Sequence, residues 1–583
     1  MREKLKNILE DNSALWVIFG LILLFSLGIR LTIIQFPLWY DEGCSIATAV
    51  QSFPHGINNY LWTHDLQHTP LYFYILHFIM KIFGDSIIVL RLSSIIISMA
   101  LLPLTYIVTE KLSSKKVALF AMLLMGVNTF QVLYSIEIRM YPYVILLSLL
   151  SINYLIDFDR KGDTASLIKL GIVNVLNPYF LTGSIVFVIA QFIIYSSYLD
   201  YTGADEKKIG KYISANLIGL LFYIPYFVIV GHYAITRSHF LVTDLSKFSA
   251  TNFWGMFQNL FAADAGHIHE TRFEPFIQLL NGNNSLVFWE NVGRVAKVTA
   301  LVFLPIAAMF VGLLKAFTDK ENLNKVVLGI ITLCFAVFVF LSYTKTVAFT
   351  GRYLIFITPF IFILTAIGIS KFNKYVVSGF IAFYTIACLF GFFSTYNYYQ
   401  KIAEYSLKSP ADYMAKNYPG KDNLVIMPFA SSVSFYYFKG DNMPKVLPLE
   451  LFHEIRNSKS TIIYDKEQSE AFEKGNKYDI FQKIITDDKP ISKNLIKFLN
   501  KHIDAVPKGG YIVWVVYYSD NYAIIPPQQV KFIYSKKSNV EEHTMTGMLS
   551  KFDIDLVNTI AEKASFVKKE RDMSNQFFVF RKR

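Results

Sequence analysis

"ALWVIFGLILLFSLGIRLTII" at residues 14–34, followed almost at once by "LWYDEGCS" at 38–45, decides the class of this chain. The first stretch has the ~20 apolar residues that cross a bilayer. It is too long for the core of a signal peptide and has no convincing small-residue cleavage site, so it reads as a retained anchor. The second stretch sets two adjacent carboxylates, Asp41 and Glu42, at the membrane edge between aromatic and small residues. Such a pair is either a set of solvated loop charges or part of a site at the membrane surface.

Composition extends the pattern over the chain. Of 583 residues 53% are hydrophobic and 17% charged, more apolar surface than one soluble core can bury, so the chain reads as a polytopic membrane protein. The net charge of +12 does not point to nucleic acid, because Lys and Arg fall in short clusters between apolar runs. Cys44, Cys334 and Cys388 are widely separated, two of them inside apolar runs and with no CxxC spacing, and suggest neither a disulfide framework nor a zinc cluster.

Apolar segments at 14–34, 86–110, 117–135, 141–157, 166–181, 183–199, 212–231, 296–316, 326–343, 353–370 and 375–395 predict about eleven transmembrane helices. The basic separators "REKLK", "KLSSKK", "DFDRKGD", "DEKKIGK", "DKENLNK" and "KFNK" fall on alternate sides, the cytoplasmic one by the positive-inside rule. The opposite side receives loops 35–85 and 232–295, the short loop near 135–142, the loop near 344–352 and everything beyond 396. This predicts a cytoplasmic N-terminus, a membrane domain over 1–395 and an extracytoplasmic domain over 396–583. "PLYFYILHFIMKIFG" at 70–84 is too short to cross and reads as an interfacial or re-entrant helix. Beyond 396, strand-like "NLVIMP", "STIIYD" and "YIVWVVYY" alternate with helix-like "SPADYMAKNY" and "FDIDLVNTIAEKAS", the pattern of a small α/β domain. That domain carries no nucleotide-binding or nucleophile motif, so a supporting or recognition role fits it.

Unusual polar residues collect on the predicted outer face. They lie in "WYDEG", in "HDLQHTPLY" (His64, Asp65, His68), in "YSIEIRMYP" (Glu137, Arg139, Tyr141) and in "FTGRYLIF" (Arg352, Tyr353). Ionisable groups at membrane depth cost several kcal/mol unless paired or solvated, so four such loops on one face predict a shared functional site.

In order, "LWYDE", "D-x-x-H-x-P-L-Y", "FGDSIIVLRLSS", "YSIEIRMY" and "GRYLIFITP" resemble the GT-C glycosyltransferases of the dolichyl-phosphate-mannose-protein mannosyltransferase and aminoarabinose transferase group. The resemblance covers most of residues 14–395. It implies an integral plasma-membrane enzyme that moves a sugar from a polyprenyl-phosphate donor to an acceptor hydroxyl or phosphate of a protein, lipid or glycan. Transfer is expected on the outer side of the membrane, usually with inversion. The family's first-loop acidic residue falls on Asp41, and Asp41–Glu42 reproduces the Asp-Glu pair of the protein mannosyltransferases. The chain has "HTP" where many bacterial members have His-Pro-Pro, and "NPYF" at 177–180 where they commonly show His-Tyr; these departures bear on substrate rather than fold.

An acceptor hydroxyl needs a base as it attacks the anomeric carbon, and one carboxylate suffices for a single displacement. Asp41 is the expected base, with Glu42 beside it. Growing charge on the departing phosphate suits Arg139 and Arg352, with Arg237 as a further candidate, because a planar guanidinium pairs with phosphate oxygens better than an ammonium. Glu137, Tyr141, Tyr353, Asp65 and His68 are the candidate substrate-binding residues. No cofactor is required by this chemistry. The aminoarabinose transferase resemblance raises a divalent metal ion at His68 with His232, while "HIHETR" at 267–272 offers a second histidine of the same spacing. A polytopic transporter or lipid-linked-sugar flippase is the alternative; it predicts repeated halves and midplane helix breaks, and no convincing internal repeat is present.

Overall fold

The computed structural model describes residues 12–38, 40–64, 68–225, 227–228, 231, 256, 260–261, 292, 299–318, 322–344, 351–403, 408–427, 436–448, 493–516, 529–531, 544–546, 551–572 and 575–583. The chain divides into two compact units: Met1–Gln35 with Leu66–Tyr398, and Phe36–Asp65 with Tyr399–Arg583.

The first unit is helical: α1 Asn12–Thr32, α4 Leu71–Phe83, α5 Ile87–Leu112, α6 Lys115–Val127, α7 Thr129–Ile136, α8 Tyr141–Lys161, α9 Thr164–Leu176, α10 Ile185–Tyr201, α11 Glu206–Phe222, α12 Leu304–Phe317, α13 Asn322–Tyr343, α14 Thr358–Ile369 and α15 Lys374–Ala403. Helices α2 Tyr40–Ala49 and α3 His55–His64 belong to the second unit. Among the described residues seven helices are long and apolar enough to cross a membrane, and α6 with α7, bent by 63°, makes an eighth. The remaining three expected stretches are also helical, with 13 residues in α9, 17 in α11 and 14 in α12. Helix α4, at 13 residues, is short of a span, as the 70–84 stretch predicts.

Local chemistry sets the breaks. Asn128 leaves the helical region at ψ 124°, ending α6, and its side-chain oxygen accepts from Gln131 N at 3.0 Å to cap α7. Its amide donates to Tyr384 OH at 2.9 Å, so the bend is tied to α15. Gly162, at φ 65°, ends α8 in the left-handed region, and Asp163 caps α9 through Ser166 N at 2.6 Å.

The innermost helix is α14, in which every residue is buried. It crosses α12 at a glycine pair: a Cβ on Gly368 would lie 1.8 Å from Gly312 O. Small residues of this kind let membrane helices approach backbone to backbone. Trp16, Leu24, Ile96, Ile107, Phe340 and Phe390 are more than 40% exposed, an apolar outer surface that suits lipid rather than water.

In the second unit, α16 Lys408–Asn417, α17 Lys493–Asp504 and α18 Lys551–Lys563 accompany a five-stranded mixed sheet ordered β2-β1-β3-β7-β6. The strands are β1 Leu424–Met427, β2 Lys445–Pro448, β3 Tyr511–Val516, β6 Ala564–Asp572 and β7 Asn575–Lys582; β4 Gln529–Lys531 and β5 Thr544–Thr546 form a separate pair. β1 runs parallel to β2 and β3, whereas β7 is antiparallel to β3 and β6. "NLVIMP" and "YIVWVVYY" fall on β1 and β3, and "STIIYD" lies outside the described residues. The helix expected to open with Ser409 begins at Lys408.

Candidate active site

Two of the polar loops of the first unit meet at the break between α7 and α8. The chain leaves α7 at Glu137, and the four residues Glu137–Met140 turn before α8 starts at Tyr141, with Pro142 in its first turn. Ser94 Oγ on α5 donates to Glu137 O at 2.8 Å, and Arg139 N donates to Glu137 O at 2.7 Å, which fixes the turn. Arg139, 5% exposed, sends Nη2 to within 2.9 Å of His68 Nε2. A guanidinium has donors only, so Nε2 accepts and the ring proton of a neutral His68 sits on Nδ1.

His68 lies in an irregular stretch just before α4, and its neighbour Thr69 anchors that stretch. The buried Thr69 hydroxyl lies 2.6 Å from Tyr179 O and 3.4 Å from Pro178 O, both in the 3-10 turn Asn177–Tyr179. Tyr179 OH in turn donates to Phe222 O at the end of α11 at 2.6 Å. Aromatic rings close the surroundings. Phe73 meets the His68 ring edge-on at 6.2 Å, Tyr72 meets Tyr143 at 5.8 Å, and Tyr143 stacks on Phe180 at 5.2 Å. Tyr141, 2% exposed, packs edge-on against Tyr134 at 4.9 Å. Arg352 lies over its neighbour Tyr353, 5.5 Å from the ring centroid, at the start of the 3-10 turn leading into α14.

The acidic pair belongs to the second unit. Asp41 and Glu42 occupy the first turn of α2, where carboxylates suit the helix dipole. Successive helical residues point about 100° apart. Glu42 is 1% exposed, whereas Asp41 is half-buried and retains solvent access. The segment before α2 is held by Leu38 N, which donates to Tyr437 OH at 2.8 Å. Asp65, His232, Arg237 and "HIHETR" lie outside the described residues.

Among the described residues no three His, Cys, Asp or Glu side chains gather as a metal site. His68 Nε2 accepts from Arg139, and a guanidinium at that distance repels a second cation. The described residues do not fit a metal at His68.

Three buried features have no counterpart in the sequence reading. Arg30 donates to Ser26 O at 3.0 Å, Gly126 O at 3.1 Å and Ser98 Oγ at 3.3 Å, joining α1, α5 and α6. Arg91 donates to Ile34 O at 3.0 Å. Ser151, Asn174 and Gln191 form a closed ring: Ser151 Oγ donates to Asn174 Oδ1 at 2.6 Å, Asn174 Nδ2 to Gln191 Oε1 at 2.7 Å, and Gln191 Nε2 to Ser151 Oγ at 2.7 Å. This ring satisfies polar groups buried between α8, α9 and α10. Polar letters inside apolar runs are its one signal in the sequence.

Residues 67–235 match the profile of the family described as dolichyl-phosphate-mannose-protein mannosyltransferase. A comparison with the curated proteins gave no match. Among solved structures, ArnT from Cupriavidus metallidurans in the apo state superimposes with a TM-score of 0.54 at 10% identity, over 98% of this chain and 98% of that one. The same protein bound to undecaprenyl phosphate gives 0.49 at 10% identity over 98% of each chain. The Archaeoglobus fulgidus oligosaccharyltransferase AglB, in complex with an inhibitory peptide and a dolichol-phosphate, gives 0.45 at 13% identity over 91% of this chain and 74% of that one. The apo ArnT superposition carries the fold assignment. In fold the chain is similar to ArnT over nearly its whole length, and its residues 67–235 match the profile of the dolichyl-phosphate-mannose-protein mannosyltransferase family.

Proposed function

We propose that this chain is a membrane glycosyltransferase that moves a sugar from a polyprenyl-phosphate donor to an acceptor hydroxyl or phosphate on a protein, lipid or glycan. Transfer takes place at the extracytoplasmic face as one inverting displacement. The observation that carries the reading is Arg139: a buried guanidinium on an irregular turn, against the His68 imidazole, inside the segment that matches the family profile. Arg30 and Arg91 are equally buried, but they staple helices by donating to backbone carbonyls. The name of the matched family pairs a dolichyl-phosphate sugar with a protein acceptor, which supports a lipid-phosphate donor here. A transferase fold over the whole chain does not favour the transporter alternative.

In the proposed reaction Asp41 takes the acceptor proton as its oxygen attacks the anomeric carbon. The bond to the donor phosphate breaks with its electron pair, and Arg139, with Arg352 and Arg237, balances the charge on the leaving polyprenyl phosphate. No glycosyl-enzyme intermediate is needed. Glu137, Tyr141, Tyr353 and Asp65 are proposed to contact the substrates. Partial exposure of Asp41 and burial of Glu42 support the first carboxylate as the base. Residues 1–395 act as the membrane domain and 396–583 as an extracytoplasmic domain.

The test is release of polyprenyl phosphate by the purified full chain from a panel of polyprenyl-phosphate hexoses and pentoses. Asp41→Asn keeps size and hydrogen bonding but not basicity, and should lose ~100-fold or more in rate; Glu42→Gln should lose less. Near-full activity in Asp41→Asn with loss in Glu42→Gln reverses the assignment, and activity in both removes the pair from the chemistry.

A further inference from the structure

His68 and Thr69 form a relay that connects three irregular segments. The Thr69 hydroxyl holds the 68–70 stretch to the Asn177–Tyr179 turn, His68 Nε2 reaches Arg139 Nη2, and Arg139 sits on the turn between α7 and α8. Each segment lacks the repeating hydrogen bonds of a helix, so its place depends on such cross-links. A guanidinium on a long flexible stem is useful to a phosphate only when its fork is aimed, and aiming it beforehand removes an ordering cost from binding.

We propose that Thr69 and His68 are positioning residues: His68 serves as a neutral hydrogen-bond acceptor that aims Arg139 at the phosphate of a polyprenyl-phosphate lipid, and Thr69 holds His68 in place. This rests on the reading of Arg139 given under Proposed function and adds the machinery that orients it. It also gives His68 a role that competes with metal ligation, because one lone pair on Nε2 serves either Arg139 or a metal. Thr69 hydrogen-bonds to backbone carbonyls, so the anchor requires a hydroxyl at position 69 but no particular side chain at 178 or 179.

The probe is undecaprenyl phosphate compared with undecaprenol, its phosphate-free alcohol. Both are titrated against the detergent-purified full chain, and the ratio of the two dissociation constants reports recognition of the phosphate alone. Wild type should prefer the phosphate lipid, and EDTA treatment should leave the preference unchanged. Thr69→Val, which keeps shape and removes the hydroxyl, should reduce it about tenfold, the scale of one lost hydrogen bond to a charged group's support. Thr69→Ser should restore it. His68→Gln retains an acceptor and should keep more of the preference than His68→Leu, which gives a second reading if Thr69→Val is poorly folded. A merely structural role for Thr69 would weaken both lipids alike and leave the ratio unchanged. An unchanged ratio in Thr69→Val and His68→Leu, with the preference lost in Arg139→Lys, overturns the relay and leaves the role of Arg139 standing. Equal binding of the two lipids by wild type overturns both, and loss of the preference in EDTA with recovery on adding a divalent ion makes His68 a metal ligand instead.

Discussion

Helix α8 has two ends about 30 Å apart, from 21 residues at 1.5 Å each, and they treat charge in opposite ways. At the Lys161 end, Lys111 pairs with Asp157 at 2.7 Å, Lys208 pairs with Asp159 at 3.1 Å, Tyr195 OH donates to Asp159 at 2.9 Å, and Arg160 donates to the Lys111 carbonyl. These contacts gather "KLSSKK", "DFDRKGD" and "DEKKIGK" at one end of the bundle, as the alternation of basic separators requires. At the Tyr141 end, the Arg139 guanidinium has the His68 imidazole among its partners, and aromatic rings pack on His68 and Tyr141. Mated charges hold helices together. At the other end a buried guanidinium is held against an imidazole on an irregular turn.

The sharpest way to break the contrast is to ask which side of the membrane each region occupies. With the half-buried Cys44 replaced by Ser, cysteine placed at the exposed Ser114, beside the Lys161 end of α8, should react with an impermeant reagent only after lysis. Cysteine placed at the exposed Lys439 should react in intact cells. The opposite pattern would invert the topology and remove Asp41 and Arg139 from the outer face.

Next in size is Arg139→Lys. Lysine keeps the charge but not the paired donors, and an aimed cation facing developing charge is worth ~3 kcal/mol, so transfer should fall about 100-fold with little change in thermal midpoint. Arg352→Lys should fall less, because that guanidinium is half-buried and rests on Tyr353. A drop in midpoint without a drop in transfer would make Arg139 a staple like Arg30.

The extent to which this was legible in the sequence follows from the range of each interaction. Spans are local properties of length and hydropathy, and every expected apolar run holds helix. "RKGDT" announces its own break, because glycine accepts a positive φ and aspartate caps the next helix. The polar loops stood out as charges among apolar residues, and two of them meet through Arg139 and His68, 71 residues apart. Arg30 and Arg91 were equally visible as letters, but their partners are carbonyls 96 and 57 residues away on other segments, which no local pattern encodes. For the same reason the grouping of Phe36–Asp65 with the C-terminal unit was not foreseen; Leu38 meets Tyr437 across 399 residues. Strand β7 had a signal in "NQFFVFRK", whereas β6, "ASFVKKERD", is too polar to read as a strand until β7 pairs with it.

Asp159→Asn tests the other end of α8. It removes the charge facing Lys208 and leaves Tyr195 OH a weaker acceptor. Hydrogen bonds to charged groups are worth ~1.5–3 kcal/mol, and the remaining amide oxygen recovers part of that, so a stability loss of about 1–2 kcal/mol is expected. Transfer per folded molecule should stay within about twofold, well inside the ~100-fold scale of a catalytic proton transfer. Abolished transfer at unchanged stability would dissolve the distinction between a structural end and a chemical one.

The smallest effect belongs to Lys111→Met. The Lys111–Asp157 pair is short at 2.7 Å, but its side chains are 24% and 20% exposed, so water and salt reach both groups. Methionine preserves the apolar part of the stem, and Arg160 donates to the backbone carbonyl of residue 111, so that link between α5 and α8 survives the change. What remains to be lost is a partly screened ion pair, worth about 0.5 kcal/mol in dilute buffer. Raising salt toward 1 M shortens the screening length to roughly 3 Å and should bring the thermal midpoints of variant and wild type together. A loss above about 2 kcal/mol that persists in high salt would mean that Lys111 and Asp157 are shielded from solvent, and that the mated end of α8 gains more from its charges than their exposure implies.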